Sequence, residues 1–300
     1  MKKIILTLIL AASSAMATAK QVVPVIWPFS ASSSSSLMIH TVLDTANAQQ
    51  SKYRFVFVNR PGAGGSIAAN AVANAQELTV LIHTPSFYIR PFLFNESHRV
   101  DQFSLINDFC INQPIAVYST KVKKITERAE QGLTIGINPG GITNLVSRAI
   151  AENNPQLKIV EVPYKGTPEA TTDMLGGHID SSVDFTGPIV TQRFTGNVSV
   201  LGITGVKSRK DMPTFQSQGI KGLDQLTSSH HVFVRNDVAD SIKQELFTIF
   251  SSAINNNAKL TEVCSQESGE IVPVPANRLE QINQDNIRKW SIITRNFVKQ

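Results

Sequence analysis

Residues Val22–Ala46 read VVPVIWPFSASSSSSLMIHTVLDTA. Val22–Trp27 is a short β-branched and aromatic run of the kind that fills a buried strand. A serine-rich loop, Pro28 to Ser36, follows it. Leu37, Ile39, Val42, Leu43 and Ala46 then set an apolar stripe along one face of a helix. A strand feeding a helix through a short loop is the repeating unit of an α/β protein.

The same alternation recurs along the chain. Phe55–Val58, Thr79–Ile82, Ile115–Tyr118, Leu133–Ile137, Ile159–Val162, Ile179–Asp184 and Val198–Ile203 read as further strands. Leu145, Val146, Ala149 and Ile150 form a second helical stripe. Such repetition predicts parallel sheets covered by helices, and eight or more strands divide more naturally into two sheets than one. The C-terminal part is more helical, with stripes at Ile242, Leu246, Ile249, Phe250 and Ile254, and at Leu279, Ile282, Trp290, Ile293 and Phe297. Glu267–Pro275 between them reads as a short strand or connector. At 300 residues, 42% hydrophobic and 17% charged, the chain has material for one large α/β unit or two domains and is neither collagenous nor wholly disordered.

Residues 1–19 begin with Lys2 and Lys3, continue with the apolar run Ile4 to Ala12, and end Ala17-Thr18-Ala19. This pattern predicts a secretory signal cut after Ala19, and a nine-residue, largely apolar run is too short to span a bilayer as a helix. Loss of the two lysines lowers the net charge from +5 to +3, too little for nucleic acid as a partner. The mature chain is expected to be periplasmic and monomeric. Export would permit Cys110 and Cys264, the two cysteines of the chain, to pair. Sequence does not show whether their Cα atoms come within range, so a disulfide and two separate buried thiols both stand.

Three strand-to-helix junctions combine small residues with hydroxyls. Ser30–Ser36 offers a helix cap, free hydroxyls and backbone N–H groups, a setting suited to an anion. Asn59-Arg60-Pro61-Gly62-Ala63-Gly64-Gly65-Ser66 lacks the third glycine of a dinucleotide fingerprint and the lysine of a P-loop, so it reads chiefly as a tight turn opening a helix. Arg60 reads as a surface or structural residue. Asn138-Pro139-Gly140-Gly141-Ile142-Thr143 repeats the small-plus-hydroxyl pattern in the second half. Loops on two sheets can face each other across a cleft beyond the strand ends.

The serine elbow of a hydrolase and the His-Glu-x-x-His of a metalloprotease are missing. Adjacent His230 and His231, with His83 and His178 far off in sequence, make a poor metal set. Asp173, Asp180 and Asp184 read as loop and strand-end residues before acid/base groups. No cofactor is expected.

Val58-Asn59-Arg60-Pro61-Gly62-Ala63-Gly64-Gly65-Ser66-Ile67-Ala68-Ala69 resembles the most distinctive motif of one family, a strand ending in N-R-P-G-A-G-G. Val162-Pro163-Tyr164-Lys165-Gly166-Thr167-Pro168, followed by Leu175-Gly176-Gly177-His178-Ile179-Asp180, resembles its second signature. Met212-Pro213-Thr214-Phe215, Gln218-Gly219 and Ser229-His230-His231-Val232-Phe233-Val234 occupy the places of later ones. The family is the extracytoplasmic solute receptors of tripartite tricarboxylate transporters, which includes the Bordetella uptake gene receptors.

The resemblance implies two Rossmann-like lobes joined by a hinge, a type II periplasmic-binding-protein architecture, closing on a small organic carboxylate for membrane permease subunits. Lobe 1 would hold residues 20–117 plus 232–300 and lobe 2 residues 118–231. By position, Phe29, Ser30, Ser32, Ser33, Ser34 and Ser35 would line the site. Gly64, Gly65, Ser66, Thr84 and Ser86, with Gly140, Thr143 and Asp184, would complete it. Where the family's first loop has P-x-G-G-x-x-D, this chain places Ser32 and Ser33 at the glycines and Ser36 at the acid. Binding would then use neutral donors and helix dipoles, with no formal positive charge nearby. A sensor presenting its closed lobes to a signalling partner would use the same cleft. A third reading, an exported hydrolase with its nucleophile among Ser30–Ser36, has no identifiable base or orienting acid.

Overall fold

The computed structural model describes residues 20–94, 99–128, 130–187, 198–209 and 212–298; the predicted signal, residues 1–19, lies outside them. Strand β1 (Gln21–Trp27) leads into helix α1 (Ser34–Gln49), followed by β2 (Tyr53–Asn59), α2 (Ser66–Ala73), β3 (Val80–His83) and α3 (Ser86–Leu93). A long strand, β4 (Phe103–Ser119), precedes β5 (Leu133–Ile137), α4 (Ile142–Asn153), β6 (Ile159–Pro163), α5 (Thr167–Leu175), β7 (Ser181–Phe185) and β8 (Ser199–Ile203). The return strand β9 (Thr227–Arg235) leads to α6 (Asp240–Asn255), α7 (Ala258–Gln266) and α8 (Leu279–Val298).

All eight predicted strands are present, but not as two separate parallel sheets. The hydrogen-bonded order is β2-β1-β3-β9-β4-β7-β5-β6, with β8 also on β4. Pairing is parallel for β1 with β2 and β3, and for β5 with β6 and β7. It is antiparallel wherever β4 and β9 take part, apart from isolated bridges. β4 serves two halves: Phe103–Pro114 pairs with β9, and Ile115–Ser119 pairs with β7 and β8. The register slips between Phe109 and Gln113, where Cys110 and Asn112 take left-handed φ of 46° and 57°. Two sheet halves are thus strung on two long antiparallel strands.

Alternation sorts the core. In β1, Val23, Val25 and Trp27 face the cluster built by α1, α6 and α7, while Ile26 faces the opposite one. Val80 and Ile82 against Leu81 repeat this in β3, and Val232 and Val234 against Phe233 in β9, as a sheet covered on both faces requires. Leu37, read as part of the α1 stripe, is 46% exposed, and Met38 is buried in its place. Cys110 and Cys264 are joined as a disulfide, Cα atoms 5.5 Å apart, tying β4 to α7. Glu267–Pro275 is a connector with a single bridge, Ile111 to Glu270.

Candidate functional site

A cleft opens between the two sheet halves. Its walls are the carboxyl ends of parallel strands and the loops after them, where open α/β sheets place ligands. Trp27, Phe29, Ser30, Ser33, Ser35, Thr84 and Ser86 come from the first half. Asn138, Gly141, Ile142, Thr143, Gly166, Thr167, Pro168 and Phe185 come from the second.

The serine loop is folded on itself. Ser33 caps α1, its Oγ accepting from the Ser36 N–H at 3.3 Å. Ser30 O accepts from Ser36 Oγ at 3.0 Å and from Trp27 Nε1 at 3.4 Å, and the Ser30 and Ser32 hydroxyls pair at 2.9 Å. Ser30, Ser33 and Ser35 line the cleft, whereas Ser32 is exposed and Ser34 half-buried away from it. Asn59 of the N-R-P-G segment holds this loop from behind, its Nδ2 donating to Trp27 O at 3.1 Å and Phe29 O at 2.6 Å.

The glycine loop is a support, not a wall. Gly64 and Gly65 take φ of +56° and +107°, and a Cβ on Gly65 would lie 2.1 Å from His83 Nε2. Ser66 Oγ accepts from Arg90 Nε at 2.9 Å. Gly140 also stands behind the cleft, its N–H donating to Asn144 Oδ1 at 3.0 Å. Arg60 is exposed. The expectation of no positive charge nearby needs correction: Arg90, four residues along α3 from the cleft-lining Ser86, is buried and donates from Nη1 to Pro139 O at 3.0 Å. Its guanidinium is engaged behind the wall, and among the described residues no charged side chain lines the cleft itself.

Three helix N-termini, of α1, α4 and α5, therefore meet a lining of hydroxyls, one amide and aromatic rings. Their unsatisfied N–H groups and partial positive charge favour an anion. One of them is engaged across the cleft, the Ile142 N–H of α4 donating to Ser86 Oγ at 3.1 Å. Thr143 Oγ1 accepts from Asn138 N at 3.0 Å, which closes the turn before α4.

Asp184 is buried beside the cleft while its neighbour Phe185 lines it. Burial pushes its carboxyl up to about 7, with the Glu267 charge adding to the effect and the Phe185 N–H opposing it. Asp180 and Asp173 are structural. Asp180 accepts from Thr134 N and Oγ1 and pairs with Lys121 and Arg128, and Asp173 accepts from Tyr164 Oη at 2.7 Å.

The two histidines occupy opposite faces of β9. His231 Nδ1 meets Asp108 Oδ1 at 2.5 Å, its Nε2 meets Ser229 Oγ at 3.1 Å, and Tyr88 stands edge-on to its ring. This buried line braces β9 against β4. His230 is stacked among Trp27, Phe109 and Phe185, and burial pushes its pKa down to about 3.

Sequence reading missed Trp27, Gly166, Thr167, Pro168 and Phe185; it singled out the loop of residues 138–143 but named only Gly140 and Thr143 of it as site residues, not Asn138, Gly141 and Ile142. A signal for part of this existed. Gly166-Thr167-Pro168 closes the second motif, and its Pro near a helix start marks α5.

The model of the tripartite tricarboxylate transporter family receptor matches residues 40–298, and the chain belongs to that family. The UPF0065 protein in the TAR-I ttuE-ttuC' intergenic region of Agrobacterium vitis is 26% identical over 216 residues, 66% of this chain and 61% of that protein. The chain thus matches less than two thirds of the relative's length. Among solved structures, the periplasmic binding protein BugD superposes with a TM-score of 0.80 at 20% identity, covering 92% of this chain and 97% of that one. MatC from Rhodopseudomonas palustris with bound malate gives 0.78 at 19%, covering 91% and 98%. An R. palustris protein with adipate gives 0.80 at 20%, covering 93% and 97%. These likenesses establish the fold, the two-lobed α/β architecture of periplasmic binding proteins.

Proposed function

Starting from that membership, we propose that this chain is an exported solute receptor that captures a small organic carboxylate between its lobes and presents it to the membrane subunits of a tripartite transporter. The observation that carries the reading is the convergence of three helix N-termini and several hydroxyls on one cleft between two sheet halves. Such a site holds an anion by dipoles and hydrogen bonds without transforming it. The bound acids of MatC and of the adipate-bound relative agree with it in chemical class. Lobe 1 is assigned 20–117 plus 232–300 and lobe 2 118–231, with β4 and β9 as the connecting strands. Capture of a ligand by the joined lobes shifts the population toward the closed form.

The test is a thermal-shift screen of the mature chain over mono-, di- and tricarboxylates, followed by calorimetry on each hit. At least one acid should raise the melting temperature by several degrees and bind one per chain. A screen in which no carboxylate stabilises the protein would overturn the reading.

A further inference from the structure

Two residues that line the cleft each carry a buried polar atom with no hydrogen-bond partner among the described residues. The first is Asn138 Oδ1. Its amide cannot turn over to hide the oxygen, because Nδ2 donates to Lys165 O at 2.8 Å and to Tyr164 O at 3.3 Å. The second is Ser35 Oγ, from the first turn of α1 on the opposite sheet half. Asn138 is 8% exposed and Ser35 1%, and both residues line the cleft. A buried polar atom left without a partner is costly, so each site is built for something to complete it.

The two atoms ask for different groups. A serine hydroxyl at a helix N-terminus donates to a carboxylate, and the adjoining backbone dipoles favour the negative charge. An amide oxygen is an acceptor only; it repels a carboxylate and takes a hydroxyl or amine proton. The same cleft is lined by the rings of Trp27, Phe29 and Phe185, which suit an alkyl or aryl body. Among the described residues, no cationic side chain lines the cleft to neutralise a second or third carboxylate, and no ionised acid lines it to pair with an ammonium.

We propose that the ligand class is a monocarboxylate with an apolar body and a hydroxyl at its far end, the carboxylate taken by Ser35 and the α1 N-terminus and the hydroxyl donated to Asn138 Oδ1. The inference rests on the carboxylate-receptor reading and narrows it. It sets this chain apart from a receptor for di- or tricarboxylates, whose remote acid would meet the Asn138 oxygen.

Calorimetry on the mature chain with two matched series decides it. One series is hexanoate, 6-hydroxyhexanoate, 6-aminohexanoate and adipate; the other is benzoate, 4-hydroxybenzoate and terephthalate. In at least one series the hydroxy acid should bind about tenfold or more tighter than its unsubstituted parent and than the diacid, the order expected when a buried acceptor is satisfied. Asn138→Leu should abolish that hydroxyl preference. Ser35→Ala should weaken all members alike and keep the preference. The wild-type ranking decides the matter even if Asn138→Leu does not fold. Tighter or equal binding of the diacid, the amino acid or the parent acid overturns the inference and leaves the receptor reading standing, as does a hydroxyl preference that survives in folded Asn138→Leu. Binding of none of these seven acids overturns the inference; the broader carboxylate screen then judges the receptor reading separately.

Discussion

The carboxyl of Asp184 is buried among Tyr118, Thr167 and Glu267, and desolvation raises its pKa from 3.8 to about 7. The folded state therefore keeps a proton that the unfolded chain releases near pH 4. Stability from this group is fully present below about pH 4 and is lost as pH rises to about 7, because the folded state binds more protons across that window. Asp184→Asn keeps an oxygen for the Phe185 N–H and removes the titration. Melts from pH 5 to pH 8 should show the variant gaining on the parent as pH rises, by roughly 2–3 kcal/mol in all. A constant difference across that range would mean that Asp184 is ionised throughout. At this scale the sequence was only partly legible. The serine run announced itself by composition, and three of its members line the cleft. The loop that opens at Asn138 was singled out too, but not Asn138 itself, because an Asn before a Pro reads first as a turn residue and its side chain is fixed by Tyr164 and Lys165, 26 and 27 residues away.

Among the elements, strands β1 and β5 were readable almost to the residue because apolar and β-branched residues dominate them. The first part of β4 was not. Asn107, Asp108, Asn112 and Gln113 interrupt it, yet Asn107 and Asp108 are satisfied inside the protein, by Ser251 Oγ at 2.7 Å and by His231. Only tertiary partners make that segment a strand. The disulfide that anchors β4 to α7 closes a loop of 154 residues, so its removal should cost about 3–5 kcal/mol. Replacing Cys110 and Cys264 together by Ala should lower the melting temperature by roughly 5–10 °C, a loss that a reductant reproduces in the parent and cannot deepen in the variant. The loop before α2 invites a second experiment. A Cβ on Gly64 would stand 2.8 Å from Pro139 O in the opposite sheet half and 2.4 Å from Arg90 Nη1. Gly64→Ala should fold, since its φ of +56° is strained for Ala but within reach, yet hold the halves apart. An affinity drop of about tenfold, with a larger radius of gyration by X-ray scattering, is the expected outcome; unchanged affinity would show that the halves need not approach so closely.

For the molecule as a whole, recognition depends on how the two halves meet, and α3 supplies both grips on the first side. Ser86 takes the Ile142 N–H at 3.1 Å, and Arg90, one turn on, takes Pro139 O at 3.0 Å while its Nε is held by Ser66. These contacts reach the same turn, Asn138 to Ile142, which carries the orphaned amide oxygen of Asn138. The strand–loop–helix rhythm foretold two α/β units and where their loops gather. It was silent on this grip, because Pro-Phe-Leu after Arg90 reads as the end of a helix and gives no hint of a buried guanidinium. The grip engages only when the halves are together, so it should act on release more than on encounter, as is usual among variants of one interface. Arg90→Met keeps most of the side chain's volume and removes the donors. Stopped-flow measurements with the best-binding acid should show dissociation faster by about tenfold and association changed by less than about threefold. A variant that instead lost association speed alone would place Arg90 in steering the ligand, and the contact with Pro139 would then be incidental to closure.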